Sequence, residues 1–360
     1  MSAGGRGAAV QLDRLALRLQ ALARAQVFWP LVTLGLLLLF NLLTNPHFFS
    51  VTVRDGHLYG SLIDILNRAA PMIIIATGLT LVIATHGIDI SVGAVVAISA
   101  SVAATMVGGQ LVLTGGLQDV TRFPLWAVIA GALAVATLCG MWNGMLVAYV
   151  GMRPIIATLI LMVAGRGVAQ LITKGQIITI YYRPYFFLGN GWLAGLPFAL
   201  FLAAGVVLIF AYLSRRTALG LFVESIGVNP KASRFAGVRS RSITFWVYAL
   251  CGLCAGIAGL IVSSNVKSAD GNNAGLLFEL DAILAVVLGG TSLAGGRFTL
   301  VGSVIGAVVI QTLTTTILAA GVPPEITLVV KALVVFAVSI LQSDRVRARV
   351  LGHGGMEVAR

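Results

Sequence analysis

A carboxylate, a hydroxyl and two glycines lie close together in an apolar part of the sequence, at Gly87-Ile88-Asp89-Ile90-Ser91-Val92-Gly93. Placing a charged carboxylate inside a membrane costs about 2.5–3.5 kcal/mol, so Asp89 is expected to face protein or a water-filled cavity. Ser91 and Gly93 favour a broken or re-entrant helix, which is tolerated only where the backbone faces protein or water. Two interpretations stay open: the bend lies beside a transport path, or Asp89 caps the next helix at the inner interface.

Two further polar side chains interrupt apolar segments. Asn143 is a candidate for the same path, and a hydrogen bond between two helices is the alternative interpretation. His86, beside the turn, is a possible proton site or a structural residue. Neither residue type specifies a reaction by itself.

A second unusual stretch runs from Glu279 to Arg297 and opens with two acids, Glu279 and Asp281. Acidic side chains suit the N-terminus of a helix, which we place at the outer side of the membrane. Paired glycines near the other end interrupt a helix. The pattern predicts a half-span followed by a turn.

The central stretch Arg215–Arg241 is polar and basic, with six cations and the single acid Glu224. The pattern predicts one short helix over Ala218–Ile226, closed by Gly227. Asn229-Pro230 is a helix start signal for a second helix ending near residue 236. Apolar side chains between the cations favour a docking surface for a soluble partner, and a charged anchor without a partner is the alternative.

The composition identifies the chain as an all-α, polytopic membrane protein. Hydrophobic residues make up 58% of the sequence and charged residues only 10%, whereas soluble domains carry roughly 25% charged residues. The mean hydropathy is +0.99. The net charge of +12 is concentrated in loops and tails, so membrane topology explains it better than a nucleic-acid partner, which we do not expect.

A spanning helix needs about 20 apolar residues, and about ten segments qualify, some of them broken or re-entrant. We therefore expect residues 27–343 to form a transmembrane domain, with a cytosolic loop at 214–241. Leucines at helical spacing predict an amphipathic helix in a cytosolic tail over residues 1–26, and residues 344–360 form a second tail. The expected spans are Val27–Leu43, Ala69–Thr85, Ile88–Val107, Leu125–Val150, Pro154–Ile172, Leu196–Leu213, Ile243–Ser263, Leu280–Leu293, Phe298–Leu318 and Val322–Leu341.

Charge fixes the expected orientation. With the N-terminus inside, 16 of the 24 cations fall on the inner side and 8 on the outer side or at span ends. Lys331 and Arg166 belong to the outer group in this assignment. Because Lys and Arg favour the cytoplasmic side, the sequence predicts an even number of spans and cytoplasmic termini.

Several chemistries have no matching motif. An ATP-binding P-loop requires Gly-Lys followed by Ser or Thr; only Lys267 precedes such a residue, and Val266 stands before it. Cys251 and Cys254 have metal-type spacing without a second ligand pair, and buried cysteines usually act as small hydrophobes. No catalytic triad or metal site is recognisable in the loops. We do not expect an enzyme, and we expect no cofactor bound by this chain.

The chain resembles the permease subunits of bacterial ribose-type ATP-binding-cassette sugar importers. Within that family it is most similar to galactofuranose importer permeases, through segments 63–71, 161–170 and 269–275. The family motifs cover most of the chain after Asn41: Gly78-Leu79-Thr80-Leu81-Val82-Ile83, Gly87–Gly93, Pro154–Leu159, Arg166-Gly167-Val168, Thr217–Gly220, Gly227, Asn229, Ala232, Ala236-Gly237-Val238 and Glu279–Gly296.

The resemblance implies a mechanism and partners. Two permease subunits form the pathway, either two different chains, as expected in this subgroup, or two copies of one. A periplasmic binding protein delivers the sugar, and a cytosolic ABC ATPase holds ATP and Mg²⁺. The permease lies in the bacterial inner membrane, surrounded by the lipid bilayer.

The resemblance also implies roles for residues. Asn67 and Arg68 are expected at the outer mouth, contacting sugar or binding protein, or capping a helix. The full set of substrate-pathway candidates is Asn67, Arg68, Asp89, Ser91, Asn143 and Asp281. The expected ATPase-coupling residues are Leu219, Gly220, Glu224, Ser225, Gly227, Asn229, Ala232 and Gly237. An ion-coupled secondary sugar transporter is the alternative function, and it would require an essential intramembrane carboxylate such as Asp89.

Overall fold

A computed structural model describes residues 27–45, 47–54, 56–108, 122–321 and 323–342, and shows a bundle of helices. The predicted tail segments 1–26 and 344–360 lie outside the described residues. The helices are α1 (Phe28–Thr44), α2 (Ser61–Ala84), α3 (Val92–Val107), α4 (Leu125–Met145, continued by a π-helix over Leu146–Val150), α5 (Pro154–Thr173), α6 (Arg183–Asn190), α7 (Phe198–Arg216), α8 (Ala218–Val228), α9 (Pro230–Phe235), α10 (Ser240–Val266), α11 (Phe278–Leu288), α12 (Leu300–Ala319) and α13 (Pro324–Gln342).

Six short strands form antiparallel pairs that link helix ends. β1 (Thr52–Arg54) pairs with β2 (His57–Tyr59), and β4 (Trp192–Leu193) pairs with β5 (Leu196–Pro197). β3 (Ile178–Thr179) pairs with β6 (Ser268–Ala269), which joins the segment after α5 to the segment after α10.

Every predicted span overlaps a helix, and six helices in the described part are long and apolar enough to cross a membrane: α2, α4 with its π-helix, α5, α7, α10 and α12. The largest boundary difference is at the start of α2, which begins at Ser61 rather than Ala69, and the boundaries also differ at the two broken stretches. α3 begins at Val92 rather than Ile88, and α11 ends at Leu288 rather than Leu293. The 11 residues of α11 give a rise of about 16 Å, about half of a bilayer core, so the predicted half-span is present.

The central helix of the bundle is α2. Residues 69–85 are all buried, because α7, α10, α11 and α12 surround this helix. A helix that is apolar on every face is typical of such a position.

The Gly-x-x-x-Gly patterns mark the closest helix contacts. A methyl group at Gly252 on α10 would lie 2.6 Å from the carbonyl oxygen of Ala136 on α4. Gly140 and Gly144 on α4 face α10, and Gly302 and Gly306 on α12 face α11 in the same way. Within lipid no hydrophobic effect drives helices together, so small residues favour association by letting the backbones approach closely. This close approach holds the broken segments in place.

Candidate functional site

The turn between α2 and α3 brings together three of the predicted pathway residues. Asp89 Oδ1 accepts hydrogen bonds from the backbone N–H of Ser91 at 2.9 Å and from its Oγ at 2.7 Å. Asn143 Nδ2 donates to Ser91 Oγ at 2.9 Å. Asp89 is only 1% exposed and Asn143 is fully buried, so this cluster fixes the bend from inside the bundle.

This geometry bears on the two interpretations of Asp89. Its carboxylate accepts from the N–H of Ser91, the residue before α3, but a cap would bond to an N–H of the first turn, and no side-chain bond of that kind is present at the start of α3. Asp89 is also buried rather than placed at an open interface. Asn143 Oδ1 has no hydrogen-bond partner among the described residues. A buried acceptor without a partner is costly, so it is a polar group to which a ligand or water could bind.

A second broken segment enters the bundle beside the first. Residues 270–277 pass between α5 and α3, where Arg166 Nη1 donates to the carbonyl of Ala274 at 2.5 Å. Leu277 has a left-handed backbone with φ of 65°, and α11 starts directly after it. Any side chain at Gly93 would collide with the carbonyl oxygen of Gly275 and with Glu279 Oε2. The N-termini of α3 and α11 therefore meet.

Glu279 lies at this meeting point and was not among the predicted site residues. The sequence predicts it at a helix N-terminus, and it does lie in the first turn of α11, but it is only 4% exposed and packed against Gly93. Its Oε2 has no hydrogen-bond partner in the described part of the chain. Each helix N-terminus carries roughly half a positive charge, so the junction stabilises the buried carboxylates Asp89 and Glu279. The signal in the sequence was an acidic residue at the start of an apolar segment that is too short to span the membrane.

Asp281 has a partner of its own. Lys331 Nζ on α13 lies 2.8 Å from Asp281 Oδ2, with side chains 10% and 18% exposed respectively. Lys331 therefore lies inside the bundle and within a helix, whereas charge counting groups it with the cations of the outer side or the span ends. Arg166 also lies within a helix, α5. The ion pair ties α11 to α13, so Asp281 holds the half-helix as well as being a pathway candidate.

Asn67 and Arg68 lie apart from this centre. Both are in the second turn of α2, and about 25 Å of helix separates them from its other end, where the Asp89 turn begins. Arg68 is exposed and Asn67 is half-buried, with Oδ1 lacking a hydrogen-bond partner among the described residues. The position is compatible with a mouth of the pathway, at the end of the bundle opposite the turn.

One acidic side chain near that end has a shifted pKa. Desolvation raises the pKa of Asp270, but hydrogen bonds from Asn273 and Asn272 and the charge of Arg166 outweigh it and hold the pKa below its ordinary value. The bonds are short: Asn273 Nδ2 lies 2.7 Å from Oδ2, and the Asn272 N–H lies 2.8 Å from Oδ1. Asp270 thus anchors the start of the entering segment as an anion.

The central loop forms two helices, as predicted. Thr217 Oγ1 accepts from the N–H of Leu219 to cap α8, and Asn229 Oδ1 accepts from the N–H groups of Lys231 and Ala232, both at 3.0 Å, to cap α9. Gly227 does not close α8, because the helix continues to Val228. Its role is contact: a side chain there would collide with the Ala84 carbonyl and with the backbone of Gly296.

This contact seats α8 on the broken segments. The N–H of Gly296 donates to the carbonyl of Ala84, the last residue of α2, at 3.0 Å. His86 Nδ1 donates to the carbonyl of Ala294 at 2.7 Å. The central loop, the end of α2 and the turn after α11 therefore form one packed unit. Within it, His86 is three residues away from Asp89 in the chain.

The predicted coupling residues divide by exposure. Asn229, Ala232 and Gly237 are exposed, and Leu219, Glu224 and Ser225 are half-buried. Gly220 and Gly227 are buried against their own chain, so they position α8 rather than touch a partner. Sequence reasoning did not select the most exposed apolar side chains of the loop: Leu221 (67% exposed), Val228 (75%) and Phe235 (93%).

In the described residues, no group of three His, Cys, Asp or Glu side chains could hold a metal ion. Cys251 and Cys254 are buried, with Cys254 packed against Gly78. They fill the contact between α2 and α10.

The chain matches known permeases over most of its length. The family model for the permease component of branched-chain amino acid transport systems matches residues 61–339. The galactofuranose transporter permease protein YtfT of Escherichia coli (strain K12) is 52% identical over 322 residues, 88% of this chain and 91% of that protein. The fructose import permease protein FruF of Bifidobacterium longum is 38% identical, covering 90% of each chain.

More distant relatives include the ribose import permease protein RbsC of Escherichia coli (strain K12), 34% identical over 84% of this chain and 88% of that protein. No solved structure matches the chain. The broken helices, the capped loop and these similarities agree with the resemblance predicted from the motifs. The chain therefore belongs to the family of ribose-type permease subunits of ATP-binding-cassette importers, which are transport subunits and not enzymes.

Proposed function

We propose that this chain is a transmembrane permease subunit that moves a monosaccharide, galactofuranose or a similar sugar, from the periplasm to the cytoplasm across the bacterial inner membrane. Identity of 52% to a galactofuranose permease supports the substrate class. A periplasmic binding protein delivers the sugar, a second permease subunit completes the pathway, and a cytosolic ABC ATPase with ATP and Mg²⁺ drives the cycle.

The observation that carries the proposal is the seating of α8 on the ends of the broken segments. A force on the exposed faces of α8 and α9 passes through Gly227 to Ala84 and Gly296. Ala84 leads directly into the turn that bears Asp89. The coupling surface and the polar centre are therefore one mechanical unit, as an ATP-driven gate requires.

In this proposal the coupling residues have two roles. Asn229, Ala232 and Gly237 lie on the face offered to the ATPase, together with Phe235, while Glu224 and Ser225 lie at its edge. Gly220 and Gly227 keep α8 in close contact with the permease. Close contact matters because packed interfaces transmit displacements without absorbing them.

The polar centre where α3 and α11 meet is the proposed binding region for the sugar. Broken helices at such a point expose backbone polar groups to a substrate. Asn143 Oδ1 and Glu279 Oε2 are acceptors without partners among the described residues, and sugar hydroxyls are donors. Asn67 and Arg68 are proposed for the outer mouth.

The first test is a pull-down of the full chain in mild detergent from its native membrane. We expect recovery of an ATPase, a second permease and a binding protein, which is then titrated with galactofuranose, fructose and ribose. Recovery of this chain alone, with uptake that survives ATP depletion and stops when the ion gradient is dissipated, would instead assign an ion-coupled secondary transporter. The buried carboxylates Asp89 and Glu279 are what such a transporter would use.

A further inference from the structure

A basic cleft of about 420 Å³ lies beside the central loop, outside the polar centre. It forms where α9, the start of α10 and the end of the π-helix meet. Its lining includes Tyr149, Arg234, Arg239, Ser240, Arg241 and Ser242.

The positive charge of the cleft is not balanced by the protein. Arg234, Arg239 and Arg241 are all exposed, and no acidic residue lines the cleft. The one ion pair within the described ranges joins Asp281 to Lys331, elsewhere in the bundle. Arg234 Nε donates to Ser240 Oγ at 2.8 Å, which orients its guanidinium. Guanidinium groups with adjacent hydroxyls are suited to phosphate.

One wall of the cleft belongs to the membrane-facing surface. The ring of Tyr149 lies 5.9 Å from Phe245, which lies 5.4 Å from Trp246. Tyr149 is 53% exposed and Trp246 is 54% exposed. Tyr and Trp concentrate where acyl chains give way to headgroups, so this row of aromatic rings marks that level.

The same wall continues as an apolar surface along α4. Trp142, Met145 and Val150 are exposed there, on a segment long and apolar enough to span the membrane. A soluble protein cannot reach along this face, whereas a phospholipid presents its phosphate at the arginines and its acyl chains along α4.

We propose that the cleft binds the headgroup phosphate of an anionic phospholipid in the cytoplasmic leaflet. The proposal goes beyond the transport function and rests on it only for the position of the central loop on the cytosolic side. Because α9 forms part of the cleft, a bound lipid holds the end of the coupling loop against α10. Basic pockets between spans on the cytoplasmic side bind anionic lipids through this chemistry.

The test is native mass spectrometry of the purified full chain, titrated with phosphatidylglycerol and, separately, with phosphatidylcholine. We expect phosphatidylglycerol to bind with preference. In the double variant Arg239→Gln/Arg241→Gln, its affinity should fall about 30-fold, given about a fivefold contribution from each arginine near a charged membrane surface. The control Arg215→Gln/Arg216→Gln removes the same charge from the same loop outside the cleft, and should retain the lipid.

Three results would overturn the proposal: equal losses in the two double variants, equal binding of phosphatidylcholine, or displacement of the lipid by millimolar inorganic phosphate. Lipid-dependent thermal stabilisation provides a second readout, since a variant that is merely misfolded loses its transition altogether. If an added acidic protein protects Arg239 while no lipid binds, the cleft belongs to that protein partner instead. None of these readouts depends on uptake or ATP hydrolysis, so they separate this inference from the transport function.

Discussion

The polar centre and the coupling surface handle polar groups in opposite ways. In the centre, Asp89 is 1% exposed and bonded to Ser91, and backbones touch at Gly93. On the coupling surface, Asn229 caps a six-residue helix in the open, and Phe235 is 93% exposed. The first region is tightly packed, while the second is exposed, as expected if an ATPase covers it in the way that we propose. Substitutions in the centre should therefore alter stability and gating, and those on the surface should alter association.

The largest effect is expected at the junction of the two regions. Gly227→Trp should abolish sugar uptake, because the indole cannot fit against Ala84 and Gly296 and must displace α8. ATP hydrolysis by the reconstituted complex should continue without transport. The measurement is uptake and hydrolysis in the same proteoliposomes.

Gly205→Trp is the matched control for this change, since Gly205 on α7 has open space around it. It should leave coupling intact. Normal coupling in Gly227→Trp would show that α8 is not the transmitting element.

The next effect concerns the ion pair between α11 and α13. Removing one member of a buried pair leaves an uncompensated charge and costs about 3–5 kcal/mol. Lys331→Met and Asp281→Asn should each lower the thermal unfolding temperature in detergent, and the double variant should recover most of the loss. Additive losses in the double variant would mean that the two residues do not act as a pair.

Substitutions of Asp89 distinguish a carboxylate with a structural role from one that couples transport to an ion. Asp89→Ala leaves the N–H and Oγ of Ser91 without their acceptor, which costs about 1–3 kcal/mol. Asp89→Asn keeps an oxygen acceptor and should keep most of the ATP-driven uptake. Complete loss of uptake in Asp89→Asn, with normal folding and hydrolysis, would favour the ion-coupled alternative.

The smallest effect on folding is expected at Phe235. Phe235→Ala removes an exposed aromatic side chain, so the unfolding temperature should stay constant while the ATPase binds about tenfold more weakly, as for an aromatic anchor at an interface. Leu208→Ala is the control, because Leu208 is 68% exposed on α7, away from the loop. Equal ATPase retention by both variants in a titrated pull-down would exclude Phe235 from the interface.

Much of the fold was predictable because membrane helices obey local rules. Apolar length located the helices of all ten predicted spans, though not the short helix α6, and the Asn229-Pro230 signal located the cap of α9. The same rules misassigned Gly227, because a distant segment decided its role. Gly227 reads as a helix stop when only its neighbours are considered, but it is small because Ala84 and Gly296 pass beside it.

Composition, helix length and glycine pairs are local quantities, so they were enough to predict a helical membrane protein with interrupted spans. Which polar groups meet follows from the packing of the helices. It joined Asp89, Ser91 and Asn143, set Glu279 against Gly93, and paired Asp281 with Lys331, fifty positions apart in the chain. The physical reason is that a polar group inside a membrane must find a partner, while the choice of partner depends on how the helices pack.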